Sequence, residues 1–545
     1  MNFSLQRSKG GLGEYAPPRA LFYGLLMAAY MLMSGAQAQQ AKYLVLLKDK
    51  TGTTFTVTKP EAFLSQRSIE RRQRQNIPVS TRDLPVSASY VAQIRQTGAK
   101  IWYTSRWLNA VLVEATAAQI TAIRALPFVS GLEFGRALKN ARLSAENQTT
   151  TTHQKFGQES LDYGSSQNQI EMLGAHTMHD QGYSGAGMLV AILDGGFRNS
   201  NTNPALKPIF DDKRVVATYD FVAKETSVYE DDSHGNNVFS IMASYLPGSL
   251  IGPAYSASYV LLRSEDAGSE SHLEEANWLF AAEYADSLGV DVINTSLGYT
   301  EFDNPADNYT YADMNGRNAL VTRAADWAAG VGMVVVASAG NEGSSPWKYI
   351  GAPSDGDSVL AIGAVNSLKG LAAFSSLGPS ADGRIKPDVS SYSAPLIAGL
   401  VTAFWQSQPY LTAMQVVDCI RRAGDRFGAP TPQFGYGIPT FESAVRVAKE
   451  RYPVTAIADW IKPVDAHIYP NPLGASSEVN IYWGGLYAGK NVSVQLLDVA
   501  GRVVYQQSVL ANEATSKMTF PPLANGVYFL KMNDNQRERV LKVIK

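Results

Sequence analysis

Leu189-Val190-Ala191-Ile192-Leu193-Asp194-Gly195-Gly196 decides the architecture of the middle of this chain. Its apolar run has no polar alternation, so it describes a strand covered on both faces, and such strands belong to parallel sheets with helices on each side. The pattern returns at Tyr259–Leu262, Val290–Asn294, Met333–Ser338 and Val359–Val365. Helical stretches lie between and after them, among them Asn236–Tyr245, Leu273–Leu288, Ala319–Gly330 and Tyr392–Gln406. Residues 165–448 are therefore expected to form an α/β, doubly wound parallel-sheet domain. Reactive groups of such a sheet collect at the carboxyl ends of its strands, where Asp194 and Asn341 fall.

Three more segments carry chemistry: Asp232-Ser233-His234-Gly235-Asn236, Ser338-Ala339-Gly340-Asn341-Glu342-Gly343 and Ser391-Tyr392-Ser393-Ala394-Pro395. Together with Asp194 they supply, in chain order, a carboxylate, an imidazole, an amide and a hydroxyl. A serine hydroxyl is a weak nucleophile and must lose its proton to a base as it attacks. A buried carboxylate fixes the tautomer of that base, and a side-chain amide stabilises a developing oxyanion. Taken singly, each residue has a plainer reading, such as an N-cap or a loop residue. Taken together, they form the parts of a serine hydrolase.

In this order and with these flanks, the chain resembles the subtilisin-like serine peptidases (subtilases). Asp291-Val292-Ile293-Asn294-Thr295-Ser296-Leu297-Gly298, Phe374-Ser375-Ser376-Leu377-Gly378-Pro379 and Gly383-Arg384-Ile385-Lys386-Pro387-Asp388 extend the likeness. The resemblance implies Ser391 as nucleophile, His234 as base, Asp194 as its orienting group, and Asn341 with the Ser391 backbone N–H as oxyanion donors. It also implies that Ser296, Leu297, Gly298, Ala339 and Gly340 bind the substrate backbone. Ser391 is singled out over Ser390 and Ser393 because it stands four residues before Pro395, as in the family's Ser-x-x-x-Pro pattern. One departure is plain. The hairpin-sized excursion that ordinarily precedes the nucleophile is missing, and Val389-Ser390 stand where Gly-Thr is expected.

At 545 residues, several domains are expected. Residues 42–140 carry a net charge of +9, residues 141–465 of −16 and residues 466–545 of +3. A basic part followed by an acidic one suits two domains that dock. Arg7, Lys9 and Arg19, the uncharged run Ala20–Ser34 and Ala36-Gln37-Ala38 read as a signal peptide over residues 1–38. Residues 42–140 alternate β-α-β-β-α-β and resemble a small α+β, ferredoxin-like inhibitory prodomain. Within it, Glu70-Arg71-Arg72-Gln73-Arg74 is expected on a solvated insertion. Residues 141–164, with Thr149–Thr152, read as a linker open to processing.

After a bridge at 449–465, residues 466–545 read as a small antiparallel β-sandwich. Tyr469-Pro470-Asn471-Pro472, Leu497–Arg502, Gly526–Lys531 and the closing Lys542–Lys545 resemble the C-terminal sorting domain of type IX secretion cargo. A carbohydrate-binding sandwich is the other reading of this region.

Cys419 is the only cysteine, so no intrachain disulfide is possible, and it reads as a small core residue. No zinc motif, nucleotide loop or EF-hand loop is present, and His176 and His179 are expected at the surface. No cofactor is expected and no metal ligand can be named. Many subtilases carry structural calcium, but none of their loops is identifiable here. The expected partners are protein or peptide substrates, the chain's own prodomain and the type IX machinery; no nucleic acid and no membrane span are expected. The expected function is a secreted or cell-surface serine endopeptidase. Two competitors stand beside it: a catalytically inactive subtilase fold that binds at a surface, and an esterase using the same groups.

Overall fold

A computed structural model of the chain describes residues 40–138, 161–453, and 466–545 except 470, 472, 474–477, 484–486, 488, 512–514 and 535–537. The expected signal peptide, most of the processing linker and the bridge from 454 onward lie outside the described residues, as do Pro470 and Pro472. The chain forms two compact units. One holds residues up to 407 with 413–442; the other holds 408–412 with 443–545.

In the N-terminal domain, β1 (Ala41–Leu47), β2 (Lys100–Ser105), β3 (Ala110–Ala115) and β4 (Val129–Leu132) form an antiparallel sheet in the order β2-β3-β1-β4. Helices Ala88–Gln96 and Ala117–Arg124 complete the expected β-α-β-β-α-β order. Thr116 and Gln119 close a capping box at the start of the second helix, satisfying backbone donors that would otherwise be orphaned. The strand pleat divides the side chains: Val45, Val111 and Val113 face Ile94, Ile120 and Ile123 of this domain's helices. Leu44 and Leu112 instead enter one continuous core with Trp278, Leu279 and Ala282 of the central domain.

The charged segment 70–74 is only partly solvated, with Glu70, Gln73 and Arg74 exposed. It belongs to a helix, Gln66–Arg74, whose Arg71 and Arg72 are fully buried. Arg71 and Arg72 both pair with Asp286, and Arg106 reaches the same carboxylate. Arg67 and Arg74 pair with Asp291. The expectation of a water-exposed charge run fails at Arg71 and Arg72, because their shared counter-charge, Asp286, comes from the central domain.

That domain is built on a seven-stranded parallel sheet in the order β13-β12-β11-β10-β5-β9-β6. Its members are β5 (Leu189–Asp194), β6 (Val215–Asp220), β9 (Ser258–Arg263), β10 (Val292–Thr295), β11 (Val334–Ser338), β12 (Val359–Ala364) and β13 (Val389–Ser391). A two-stranded hairpin, β7 (Tyr245–Leu246) with β8 (Leu250–Ile251), stands apart from it. The central strands are buried as the uninterrupted apolar runs require; β6 and β13 are edges, too polar or too short to announce themselves.

Helix Ala394–Ser407 starts after the expected Tyr392, which puts Pro395 in its first turn, where a missing N–H costs nothing. Cys419 is buried in helix Ala413–Arg422. His179 is also buried, against expectation. Its Nε2 meets the Pro253 carbonyl at 3.0 Å and its Nδ1 the Tyr163 hydroxyl at 2.8 Å, and burial lowers its proton affinity.

The C-terminal domain pairs β14 (His467–Tyr469), β15 (Glu478–Tyr482) and β18 (Thr515–Thr519) in one sheet. A second sheet holds β16 (Asn491–Leu497), β17 (Val503–Leu510), β19 (Val527–Asn533) and β20 (Glu538–Ile544). All pairings are antiparallel. Trp483 lies in the core between them and donates to Ser516 Oγ at 2.7 Å, so it is no open sugar platform. No helix among the described residues is long and apolar enough to cross a membrane.

Candidate active site

Asp194 ends β5 and is fully buried. His234 opens the helix His234–Ala243, and its backbone N–H donates to Asp232 Oδ1 at 2.6 Å. Its Nδ1 lies 2.8 Å from Asp194 Oδ1, which also accepts the Gly195 N–H at 2.8 Å. The helix can come this close only because residue 235 is glycine: a Cβ there would sit 2.4 Å from the Gly196 carbonyl oxygen.

The hydrogen bond to Asp194 and its negative charge raise the proton affinity of His234 against the opposing effect of burial. Burial in turn raises the pKa of Asp194, against the pull of His234. Half of the imidazole side chain remains exposed, at 52%, so the ring is anchored on one side and open on the other. This is the arrangement of a general base held in one tautomer by a carboxylate.

Arg263, which sequence reasoning passed over, buttresses the pair. The β5–β9 register sets it beside Asp194. It pairs with Asp220 at 2.8 Å and Asp231 at 3.0 Å, and its Nε donates to the Gly195 carbonyl at 3.1 Å. An arginine closing an apolar strand was the available signal, because a charge buried there needs partners.

Ser296, Leu297 and Gly298 leave the end of β10, while Ala339 and Gly340 leave the end of its neighbour β11. The two predicted backbone-binding segments therefore exit side by side at the carboxyl edge. Gly340 has φ +109°, a conformation suited to glycine, and turns the chain so that Asn341 is exposed. The loop is fixed to the Phe374–Pro379 run through Gly343 N–H to Phe374 O at 2.8 Å and Glu342 N–H to Ser376 Oγ at 2.9 Å.

Ser391 is not brought to this group. It ends β13, opposite Ala364 of β12, fully buried, and its Oγ has no hydrogen-bond partner. Its backbone N–H consequently lies in a strand and not at a helix N-terminus as expected. β13 stands four places from β5 in the sheet, about 19 Å at about 4.8 Å per strand. The cause is the missing excursion. Asp388 is fixed by Lys386 at 2.8 Å and Arg421 at 2.7 Å, and the helix begins at Ala394, so the intervening residues continue the edge strand. Ser390 Oγ is engaged by the Phe434 carbonyl at 3.1 Å; Ser393 Oγ is buried and unpartnered.

Beyond Arg263 lies a group that the sequence did not disclose. Glu265, Glu270 and Glu274 each place a carboxylate oxygen within 4.8 Å of the others. Burial pushes Glu265 up to about 8, Glu270 to about 7 and Glu274 to about 10. An all-carboxylate oxygen set suits a hard cation such as calcium, and this is the group that could hold an ion among the described residues.

Fold and site define an α/β domain with a carboxylate–imidazole pair at the carboxyl edge of its sheet. The subtilase family pattern matches residues 185–390, a Bacteroidota peptidase S8 propeptide domain matches 42–154, and a secretion system C-terminal sorting domain matches 467–545. Subtilisin NAT of Bacillus subtilis subsp. natto is 32% identical over 53% of this chain and 72% of its own length. Subtilisin of Bacillus pumilus is 31% identical over 53% of this chain and its whole length. The solved structure of MycP1 with the N-terminal propeptide removed aligns with 51% of this chain and 96% of its own at 20% identity and a TM-score of 0.40. The chain belongs to the subtilase family of serine peptidases. It carries that family's prodomain and a type IX sorting domain that marks it for secretion or cell-surface attachment.

Proposed function

We propose that this protein is a serine endopeptidase made as a self-inhibited precursor and exported through its C-terminal domain. The observation that carries the reading is the Asp194–His234 pair, with the buried carboxylate 2.8 Å from Nδ1 and the ring half open. His234 would take the proton of the attacking serine, Asp194 would stabilise the imidazolium, and Asn341 would face the oxyanion. Ser296–Gly298 and Ala339–Gly340 suit an extended peptide lying along the strand ends.

The nucleophile of this reading is Ser391, and it must leave β13 to act.

The test is a fluorophosphonate probe applied to the secreted, processed protein, followed by peptide mapping. Labelling at Ser391 that disappears in His234→Ala supports the endopeptidase. The edge-strand position of Ser391 favours a second reading, a subtilase fold that binds without cutting; no labelling and no casein hydrolysis would establish it. Ester cleavage without peptide cleavage would instead establish an esterase.

A further inference from the structure

Beside the arginine clamp, the N-terminal domain makes a second kind of contact with the central domain, through four consecutive residues. Glu133, Phe134, Gly135 and Arg136 follow β4. Glu133 pairs with Arg323. The Phe134 ring stacks on His272 at 4.1 Å and 10°. His272 lies 4.2 Å from Phe302 and 5.4 Å from Tyr309, ring centre to ring centre, and its Nδ1 meets Glu275 Oε1 at 2.6 Å. Arg136 pairs with Asp307. The central domain thus presents a cation, an aromatic slot and an anion in line, and the tetrad answers each in turn.

Phe134 has φ +61°, a left-handed conformation that costs a bulky residue of order 1–3 kcal/mol and persists only where surroundings over-determine it. Phe134 packs into the core that both domains share and not into its own domain's helix-side core, and the turn continues through Gly135 at φ +68°.

We propose that this slot is a peptide-binding exosite of the central domain, covered by the prodomain and opened when the prodomain leaves. Its ligand is a segment of a protein substrate that turns as residues 133–136 do, with an acidic residue, an aromatic residue, a glycine and a basic residue in succession. Arg323 takes the carboxylate, the His272–Phe302–Tyr309 rings take the aromatic side chain, and Asp307 takes the cation. Aromatic stacking on a buried histidine with flanking ion pairs fixes both register and direction. The word substrate rests on the endopeptidase reading; binding itself needs no catalysis, so the two can fail separately.

The test uses the full chain. Glu133→Ala, Phe134→Ala and Arg136→Ala in one variant free Arg323, the aromatic slot and Asp307 together, while the arginine clamp keeps the domains in place. A fluorescein-labelled peptide containing Glu-Phe-Gly-Arg should bind this variant saturably by fluorescence anisotropy and should not bind the unsubstituted protein, whose slot is filled. Adding Arg323→Ala should weaken binding at least tenfold, and a peptide with the four residues reordered as Gly-Arg-Glu-Phe should bind at least tenfold more weakly. No saturable binding by the folded variant, or equal binding of both peptides, overturns the proposal. If that variant does not fold, Glu133→Gln with Phe134→Val and Arg136→Gln is judged by the same outcomes.

Discussion

Arg71, on the N-terminal domain, and Asp286, on the central domain, are both completely buried and paired with each other. Two more guanidinium groups, those of Arg72 and Arg106, share the same carboxylate. Although burial opposes it, these cations hold Asp286 well below the usual carboxylate range. Removing one partner of such a buried group strands the others, at about 3–5 kcal/mol. Asp286→Asn should therefore loosen the docked prodomain in the full chain, seen as earlier cleavage between the two domains in limited proteolysis.

The same contact should resist mild acid. A depressed carboxylate contributes stability above its ordinary value near 3.8 and loses it only as pH falls through the lower folded value. Arginine does not titrate in this range. Prodomain docking that survives at pH 4.5 in size-exclusion chromatography is expected, and dissociation between pH 7 and 5 would contradict it.

The pH–rate profile should report His234. Its pKa is raised above 6.5, chiefly by the hydrogen bond to Asp194, and only the neutral ring accepts a proton. In the processed enzyme kcat/KM should rise with pH on a limb whose midpoint lies above 6.5. Asp194→Asn should reduce kcat by about 10⁴-fold and His234→Ala by about 10⁶-fold, magnitudes established for serine peptidases including a subtilisin. A fluorogenic peptide series measures all of these.

The buried glutamates predict alkaline weakness. Glu265 and Glu274 are pushed up to about 8 and about 10 from 4.5, chiefly by burial, so the folded state holds protons that the unfolded state releases. Their contribution is complete below about pH 4.5 and is lost as pH rises through those folded values. The Tm should fall between pH 6 and 9, and Glu274→Gln should flatten that fall.

Gly235→Ala should separate the catalytic pair. Its Cβ would meet the Gly196 carbonyl at 2.4 Å and the Phe197 ring at 2.9 Å, so helix and loop must part. Overpacking of this kind costs about 1–3 kcal/mol. The expected result is a Tm lowered by a few degrees together with loss of probe labelling that Gly235→Ser shares.

The central sheet was legible because its inner strands are continuous apolar runs. The edge strands β6 and β13 were not, the first being half exposed and the second only three residues long. Asp194 and His234 were legible from short motifs whose glycines have definite steric work. Arg71 was misread because the carboxylate that neutralises it lies 215 residues away, and local charge density cannot distinguish such a run from a wet surface. His179 was misread in the same way: its partners Tyr163 and Pro253 come from separate segments. The role of Arg263 depends on strand register, which no single segment encodes, whereas Glu265, Glu270 and Glu274 are gathered by the turn that leads from β9 into the following helix. The place of Ser391 turned on a connection too short to leave the sheet edge.

Cys419, the one thiol of the chain, is sealed inside the helix Ala413–Arg422. Passage from a reducing cytosol to an oxidising exterior therefore remakes no covalent link in this fold. The precursor can mature without help from thiol oxidases, and dithiothreitol should leave its melting curve unchanged.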